Sequence, residues 1–117
     1  MKFIRWYVAR FPFAFRGLWY AFVHDRSFRW QVFTGLAGVV VITWLAWPLR
    51  ELEVVLLVLA SVLVLITELQ NSALETAFDK LHPEQHPSIG VAKDMIAASV
   101  LLAVVFAVAT TLYVIFF

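Results

Sequence analysis

The chain has 117 residues, of which 63% are hydrophobic and only 15% are charged, and its formal net charge is +1. These values lie far outside the range of ordinary soluble domains, so they exclude a soluble globular protein and predict an integral membrane protein. Cysteine is absent, which excludes disulfides, thiolate catalysis and cysteine-based metal sites.

The first predicted element is an interfacial amphipathic helical segment over residues 1–28. It mixes aromatic residues with spaced arginines, a pattern that places rings at headgroup depth and cations on lipid phosphates. Pro12 is expected to begin or break a helix there. A secretory signal peptide is the alternative, but the arginines interrupt any apolar core of the required length and no small-residue cleavage site follows.

Three transmembrane helices follow, and we predict them over residues 30–49, 52–81 and 90–117 of a single domain, 1–117. Each contains a charge-free apolar run, and about 20 residues are needed to cross a bilayer. The second helix would be about 45 Å long, well over the hydrocarbon thickness of about 30 Å, so one end must protrude into water. The sequence therefore predicts an all-α membrane protein.

Basic residues predict the orientation of these helices. Arg50 is the only basic residue in the first connection, whereas Lys80 and Lys93 flank the second. By the positive-inside rule the N-terminus and the second connection are cytoplasmic, and the C-terminus faces outward. The basic residues before the first span are Lys2, Arg5, Arg10, Arg16, Arg26 and Arg29.

A polar stripe lies at the cytoplasmic end of the second predicted helix and consists of Glu68, Asn71, Glu75 and Asp79. Offsets of three, seven and eleven residues keep all four within about a quarter-turn of one helix face. Ionisable groups at membrane depth cost several kcal/mol unless they are paired, hydrated or bound to an ion, so they usually mark a site. Together with Lys93-Asp94 at the start of the third helix, the stripe predicts a magnesium-phosphate site.

Other interpretations of these polar residues stay open at this point. A small cation- or proton-conducting oligomer would use Glu68 as a titrating site, but it predicts polar residues along the whole span. A purely structural interaction protein leaves Glu68 and Lys93-Asp94 unexplained. His82 and His86 have a spacing seen in zinc ligands, but the prolines of their loop spoil the helical alignment and no other ligand set accompanies them. We also expect self-association, because a lone three-helix unit would leave polar groups facing lipid.

The motif Glu68-x-x-Asn71-x-Ala73-x-Glu75-x-x-x-Asp79, followed by Ala92-Lys93-Asp94, resembles that of the prokaryotic diacylglycerol kinase family. The resemblance extends from about residue 14 to the middle of the third helix. It implies a small homotrimeric enzyme of the bacterial inner membrane, with the active site at the cytoplasmic interface between subunits. Its implied partners are ATP and a membrane lipid, with Mg²⁺ as cofactor and no nucleic acid.

The same resemblance implies a reaction and a role for each matching residue. The γ-phosphate of ATP would pass to the hydroxyl of diacylglycerol to give phosphatidic acid. Undecaprenol is the alternative acceptor, because residues 25–29 resemble the undecaprenol kinase branch as much. Asp25 stands where glutamate is usual in the family, and the aspartate side chain is one methylene shorter. The implied roles are Glu68 as general base; Asp25 and Glu75 as magnesium ligands; Asn71, Glu75, Asp79, Lys93 and Asp94 at the nucleotide and its phosphates; and Arg5, Ala14 and Glu68 at the lipid substrate.

Overall fold

The protein, described here by a computed structural model of all 117 residues, is built from α-helices only. Three helices are long and apolar enough to cross a membrane, with mean hydropathies of 1.4, 2.5 and 2.5 in chain order. This confirms the predicted class of all-α membrane protein with three spans. The five helices are α1 (Lys2–Val8), α2 (Phe11–His24), α3 (Arg26–Ala46), α4 (Glu51–Leu81) and α5 (Pro87–Phe116).

The N-terminal segment forms two helices, and it ends earlier than residue 28. No residue of α1 is buried, and Ala21 is the one buried residue of α2. Pro12 lies in the first turn of α2, where its missing N–H costs no helical hydrogen bond. The segment is attached to α3 near its end, where the Phe22 and Phe33 ring centroids lie 5.8 Å apart.

The first spanning helix, α3, begins four residues before the predicted start at 30 and ends three residues before the predicted end at 49. Asp25 is its N-cap, and the Asp25 side chain accepts a hydrogen bond of 3.2 Å from the Phe28 N–H. The cap moves the helix start to Arg26, inside the stretch that we predicted to be interfacial. The helix stops at Ala46 because Pro48 lacks an N–H and disfavours helical geometry at Trp47.

The other two spanning helices begin at side-chain caps. The Glu53 carboxylate accepts hydrogen bonds from the Arg50 backbone N–H at 3.2 Å and from Arg50 Nε at 2.7 Å, which starts α4 one residue before the predicted 52. His86 Nδ1 accepts the Ser88 N–H at 3.1 Å. Pro87 occupies the first position of α5, three residues before the predicted 90.

The bundle is open, and little of it is buried within one chain. α4 packs most extensively on α5, and α3 lies against both. The core is the cluster of Ile42, Leu57 and Val114, and only 10 of 117 residues are buried. The radius of gyration is 17.3 Å, against about 13 Å for a compact globular chain of this length. Most of the apolar surface is therefore left for lipid or for other copies of the chain.

Candidate functional site

Glu68 is a buried carboxylate in α4, and only 5% of its surface is exposed. The Ser27 hydroxyl, in the first turn of α3, donates a hydrogen bond of 2.9 Å to Glu68 Oε1, and no other group of the chain donates to this carboxylate. That distance lies within the range of about 2.6–3.2 Å at which a general base takes a proton from a hydroxyl. The chain thus holds a buried carboxylate that accepts a hydrogen bond from a primary alcohol.

A second serine-carboxylate contact lies one turn further along α4. The Ser72 hydroxyl donates to Asp25 Oδ2, while Asp25 Oδ1 accepts the Phe28 N–H. One side chain thus caps α3 and attaches its N-terminus to α4. Because each carboxylate oxygen has two lone pairs, Asp25 keeps acceptor capacity toward the outside of the chain.

Asn71 carries a buried polar atom without a partner. Its Oδ1 lies inside the chain surface and accepts no hydrogen bond. Buried carbonyl oxygens are rarely left in this state, because an unmade hydrogen bond costs about 1–3 kcal/mol. A donor from outside this chain, whether water, substrate or a second subunit, is therefore expected at Asn71.

The water-exposed end of the stripe is joined to α5 by an ion pair. Lys93 Nζ lies 2.7 Å from Asp79 Oδ1, and the Asp79 side chain is largely exposed. Both residues line a cavity of about 620 Å³ beneath the connection between α4 and α5. The connection contributes most of the other walls of this cavity, among them His82, Glu84 and His86, and the first turn of α5 contributes the rest.

An apolar groove of about 430 Å³ runs between α3, α4 and α5 at membrane depth. Its lining includes Gln31 and Val64, which lie one helical turn from Ser27 and Glu68 along their respective helices. The groove therefore ends next to the buried carboxylate.

The structure brings some of the predicted site residues together and leaves others apart. Asp25 is joined to the α4 stripe by Ser72, and Lys93 is joined to it by Asp79. Glu75 is exposed between these two contacts and is free of hydrogen bonds. The remaining predicted residues, Asp94, Arg5 and Ala14, are exposed and make no side-chain hydrogen bond or ion pair within the chain.

Two features of the structure were missed in the sequence. Ser27 was not selected, although a serine two residues after a predicted site carboxylate is a signal that could have identified it. Glu53, at the opposite end of α4, is buried beside Arg50 and was not singled out within the predicted helix 52–81. The carboxylate of Glu53 raises the pKa of the Arg50 guanidinium above its usual range.

The carboxylates do not form a complete metal site within one chain. No group of three or more His, Asp or Glu side chains is close enough to hold a metal ion. Mg²⁺ in nucleotide sites is usually bound by one or two carboxylates together with substrate phosphates. The exposed Glu75 and the spare capacity of Asp25 fit that incomplete set. His82 and His86 each engage Nδ1 in a local hydrogen bond within their own loop.

Comparison with known proteins gives a consistent set of relatives. A sequence model described as prokaryotic diacylglycerol kinase matches residues 12–115, which leaves out α1. The chain is similar to the diacylglycerol kinase of Escherichia coli, with 37% identity over 98 residues, or 84% of this chain and 79% of the relative.

Two further relatives carry the same name. The diacylglycerol kinase of Haemophilus influenzae is 34% identical over 91 residues, covering 78% of this chain and 75% of the relative. The diacylglycerol kinase of Synechocystis sp. is 40% identical over 99 residues, covering 84% of this chain. The match spans 55% of the Synechocystis protein, which is therefore longer.

Proposed function

Because this chain belongs to the prokaryotic diacylglycerol kinase family, we propose that it transfers the γ-phosphate of ATP to the hydroxyl of diacylglycerol and yields phosphatidic acid. The family and the three spanning helices make it a lipid kinase of a bacterial membrane. The observation that carries the proposal is the buried Glu68 carboxylate with an alcohol at 2.9 Å.

In the proposed reaction Glu68 is the general base. It takes the proton of the lipid hydroxyl while that oxygen attacks the γ-phosphorus, and the bond from the γ-phosphorus to the bridging oxygen of ADP breaks. The proton then resides on Glu68 until it leaves to solvent. A positioned base contributes about 10²- to 10⁴-fold to such a step.

The remaining polar residues would hold the nucleotide. Asp25 and Glu75 would hold Mg²⁺, which neutralises charge on the phosphates when it is bound. Lys93 would contribute a positive charge to the same phosphates, and the Asp79 carboxylate keeps the Lys93 side chain at the α4 face. Asn71 would donate through its amide nitrogen beside the phosphates, and Asp94 would lie near the nucleotide.

The lipid would enter from the membrane. The apolar groove that ends near Glu68 is lined by hydrophobic residues of three helices and suits an acyl chain. Arg5 and Ala14, on the exposed N-terminal helices, would contact the lipid near its headgroup. Diacylglycerol is the proposed acceptor because the relatives carry that name, and undecaprenol is the second acceptor to test.

We place the phosphate-binding end of α4 in the cytoplasm, where ATP is available, because basic residues precede the first apolar span and flank the second connection. We further propose a homotrimer with its active sites between subunits. The orphaned Asn71 Oδ1 and the small number of buried residues support this, since a neighbouring subunit would supply both a donor and a packing surface.

The test is transfer of radioactive phosphate from γ-labelled ATP with Mg²⁺ in mixed micelles, with diacylglycerol and undecaprenol offered separately. Glu68→Gln is expected to lower kcat by about 10²- to 10⁴-fold, because it removes the base and keeps the side-chain shape. Nucleotide binding by the variant should persist, because Glu68 is not a phosphate ligand.

Two controls accompany this test. Glu51→Gln removes an exposed carboxylate of the same helix far from the site, and it should keep the wild-type rate. Glu53→Gln reports what neutralising a buried carboxylate does to folding alone. A wild-type protein that labels neither lipid, or a Glu68→Gln variant with an unchanged rate, would contradict the proposal.

A further inference from the structure

The two oxygens of the Glu68 carboxylate have different surroundings. Oε1 accepts the Ser27 hydroxyl at 2.9 Å, whereas Oε2 accepts no hydrogen bond from the chain. Asn71 Oδ1 is the only buried side-chain oxygen or nitrogen without a partner. Because Glu68 is a buried residue and its Oε2 also has no partner, Oε2 must reach the surface of the chain. A group from outside can therefore approach Oε2, while Oε1 is held from within.

Ser27 is itself held in place relative to Glu68. It lies in the first turn of α3, two residues after the N-cap residue Asp25. The Asp25 carboxylate accepts the hydroxyl of Ser72, which lies one turn beyond Glu68 on α4. The start of α3 and α4 are thus joined by two hydrogen bonds, one donated by each helix.

This arrangement restricts the rotation of the Glu68 carboxylate. The last side-chain torsion of a glutamate has a broad distribution when nothing holds the carboxylate. A hydrogen bond to Oε1 from a donor that is fixed on a neighbouring helix narrows that distribution. The direction in which Oε2 points is then set by Ser27.

We infer that Ser27 is a positioning residue, which fixes the rotation of the Glu68 carboxylate and so selects Oε2 as the oxygen that takes the proton of the lipid hydroxyl. The inference rests on the proposed role of Glu68 as base. The hydroxyl proton passes to Oε2 while the hydroxyl oxygen bonds the γ-phosphorus and the bond from the γ-phosphorus to ADP breaks. Oε1 remains an acceptor when Oε2 is protonated, so the bond from Ser27 persists through the step.

Removal of the Ser27 hydroxyl should therefore lower the rate of the chemical step and leave binding intact. In Ser27→Ala the carboxylate is free to turn away from the acceptor hydroxyl, and misplaced catalytic groups cost about tenfold to a hundredfold in rate. We expect kcat for diacylglycerol phosphorylation to fall about tenfold, with KM for ATP and for the lipid within about twofold of the wild-type values. The loss is smaller than in Glu68→Gln, because the base is still present.

The experiment measures kcat and both KM values with diacylglycerol and ATP-Mg²⁺ on the full-length protein in nanodiscs. Ser27→Thr keeps a hydroxyl and is expected to return kcat to within about twofold of wild type. Ser99→Ala is the matched control, since the Ser99 hydroxyl bonds only the Ile96 carbonyl of its own helix. Circular dichroism verifies folding. Ser27→Cys, with a side chain of similar size and a weak donor, replaces the alanine variant if that variant does not fold, and its kcat should also fall.

A double-mutant cycle separates positioning from a purely structural link between α3 and α4. If Ser27 acts through the Glu68 carboxylate, adding Ser27→Ala to Glu68→Gln should change the residual rate by less than about twofold. An equal loss in both backgrounds would mean that Ser27 only joins the helices, and it would overturn the inference.

Two further results would also overturn it. One is an unchanged kcat in the folded Ser27→Ala variant, or in Ser27→Cys where that variant replaces it. The other is a Ser27→Thr variant that loses as much kcat as the alanine variant. If the wild-type protein phosphorylates no lipid, or if Glu68→Gln keeps the wild-type rate, the proposed function fails instead, so the two failures are distinguishable.

Discussion

The site is built from paired side chains, and each pair joins two helices. Ser27 with Glu68 and Ser72 with Asp25 attach α3 to α4, and Lys93 with Asp79 attaches α5 to α4. Glu75 is the exception, because its carboxylate is exposed and makes no hydrogen bond or close ion pair, although its charge attracts that of Lys93. An acidic group left free between two occupied ones is the best candidate for a direct metal ligand.

At the scale of this residue, Glu75→Gln should raise the Mg²⁺ concentration needed for half-maximal rate by about tenfold or more, the value of one charge-assisted bond. The neutral amide is a poorer ligand for a hard cation than a carboxylate. Mg²⁺ titrations at saturating ATP measure the effect, and Glu51→Gln serves as the exposed-carboxylate control. The role of Glu75 would be refuted by superimposable titrations of variant and wild type.

The positions of individual residues show which parts of the site the sequence could predict. The shared face of Glu68, Asn71, Glu75 and Asp79 follows from helix periodicity alone, and the structure keeps all four on α4. The pairing of Ser27 with Glu68 spans 41 residues and depends on how α3 packs against α4. No local pattern encodes that packing. The roles of the site residues stay predictions until the variants are measured.

At the scale of helices, the sequence predicts that the three spans exist, because hydropathy determines them. It does not predict where each helix begins and ends, because those positions depend on single side chains. α3 begins at Arg26 because Asp25 caps it, although the apolar run starts only at Val32. Composition reports where a helix enters hydrocarbon, whereas the cap decides where the helix itself begins. The break between α1 and α2 likewise lies in a stretch whose composition does not change.

The cap at Asp25 predicts that two substitutions of this residue differ in their effect on thermal stability. Asparagine caps a helix about as well as aspartate, but alanine costs about 0.5–2 kcal/mol. Asp25→Asn should therefore keep most of the thermal stability and weaken Mg²⁺ dependence, because one oxygen still caps α3 while the charge and the acceptor for the Ser72 hydroxyl are lost. Asp25→Ala should lower both. Thermal unfolding and Mg²⁺ titration of both variants measure this, and equal Mg²⁺ dependence in Asp25→Asn and wild type would remove Asp25 from the metal site.

At the scale of the whole molecule, a single chain buries few residues and does not supply a hydrogen-bond partner for every buried polar group. Ten of its residues are buried, and Asn71 Oδ1 is left without a donor. Lipid tails supply no hydrogen bonds, so a donor to a carbonyl at this depth must come from protein, water or substrate. In the proposed homotrimer, a second copy of the chain would supply this donor.

The proposed homotrimer predicts a protein mass of three chains of 13.4 kDa each in sedimentation equilibrium with density-matched detergent. Because the sites would lie between subunits, the specific activity should fall on dilution into detergent in step with the loss of trimer. Chemical cross-linking at each dilution provides the comparison. A monomer with full activity would exclude sites shared between subunits.

The uninterrupted helix α4, with 31 residues, also has a consequence for the membrane around it. Glu68 and Asp79 lie eleven residues apart on α4, so about 16 Å along the helix separates the buried end of the polar stripe from its water-exposed end. No hinge within α4 can adjust that distance when the bilayer becomes thicker or thinner. Hydrophobic mismatch would then be absorbed by tilt or by deformation of the lipid, and either change would alter the depth at which Glu68, as the proposed base, meets the acceptor hydroxyl. The enzyme would thereby sense bilayer thickness through its rate.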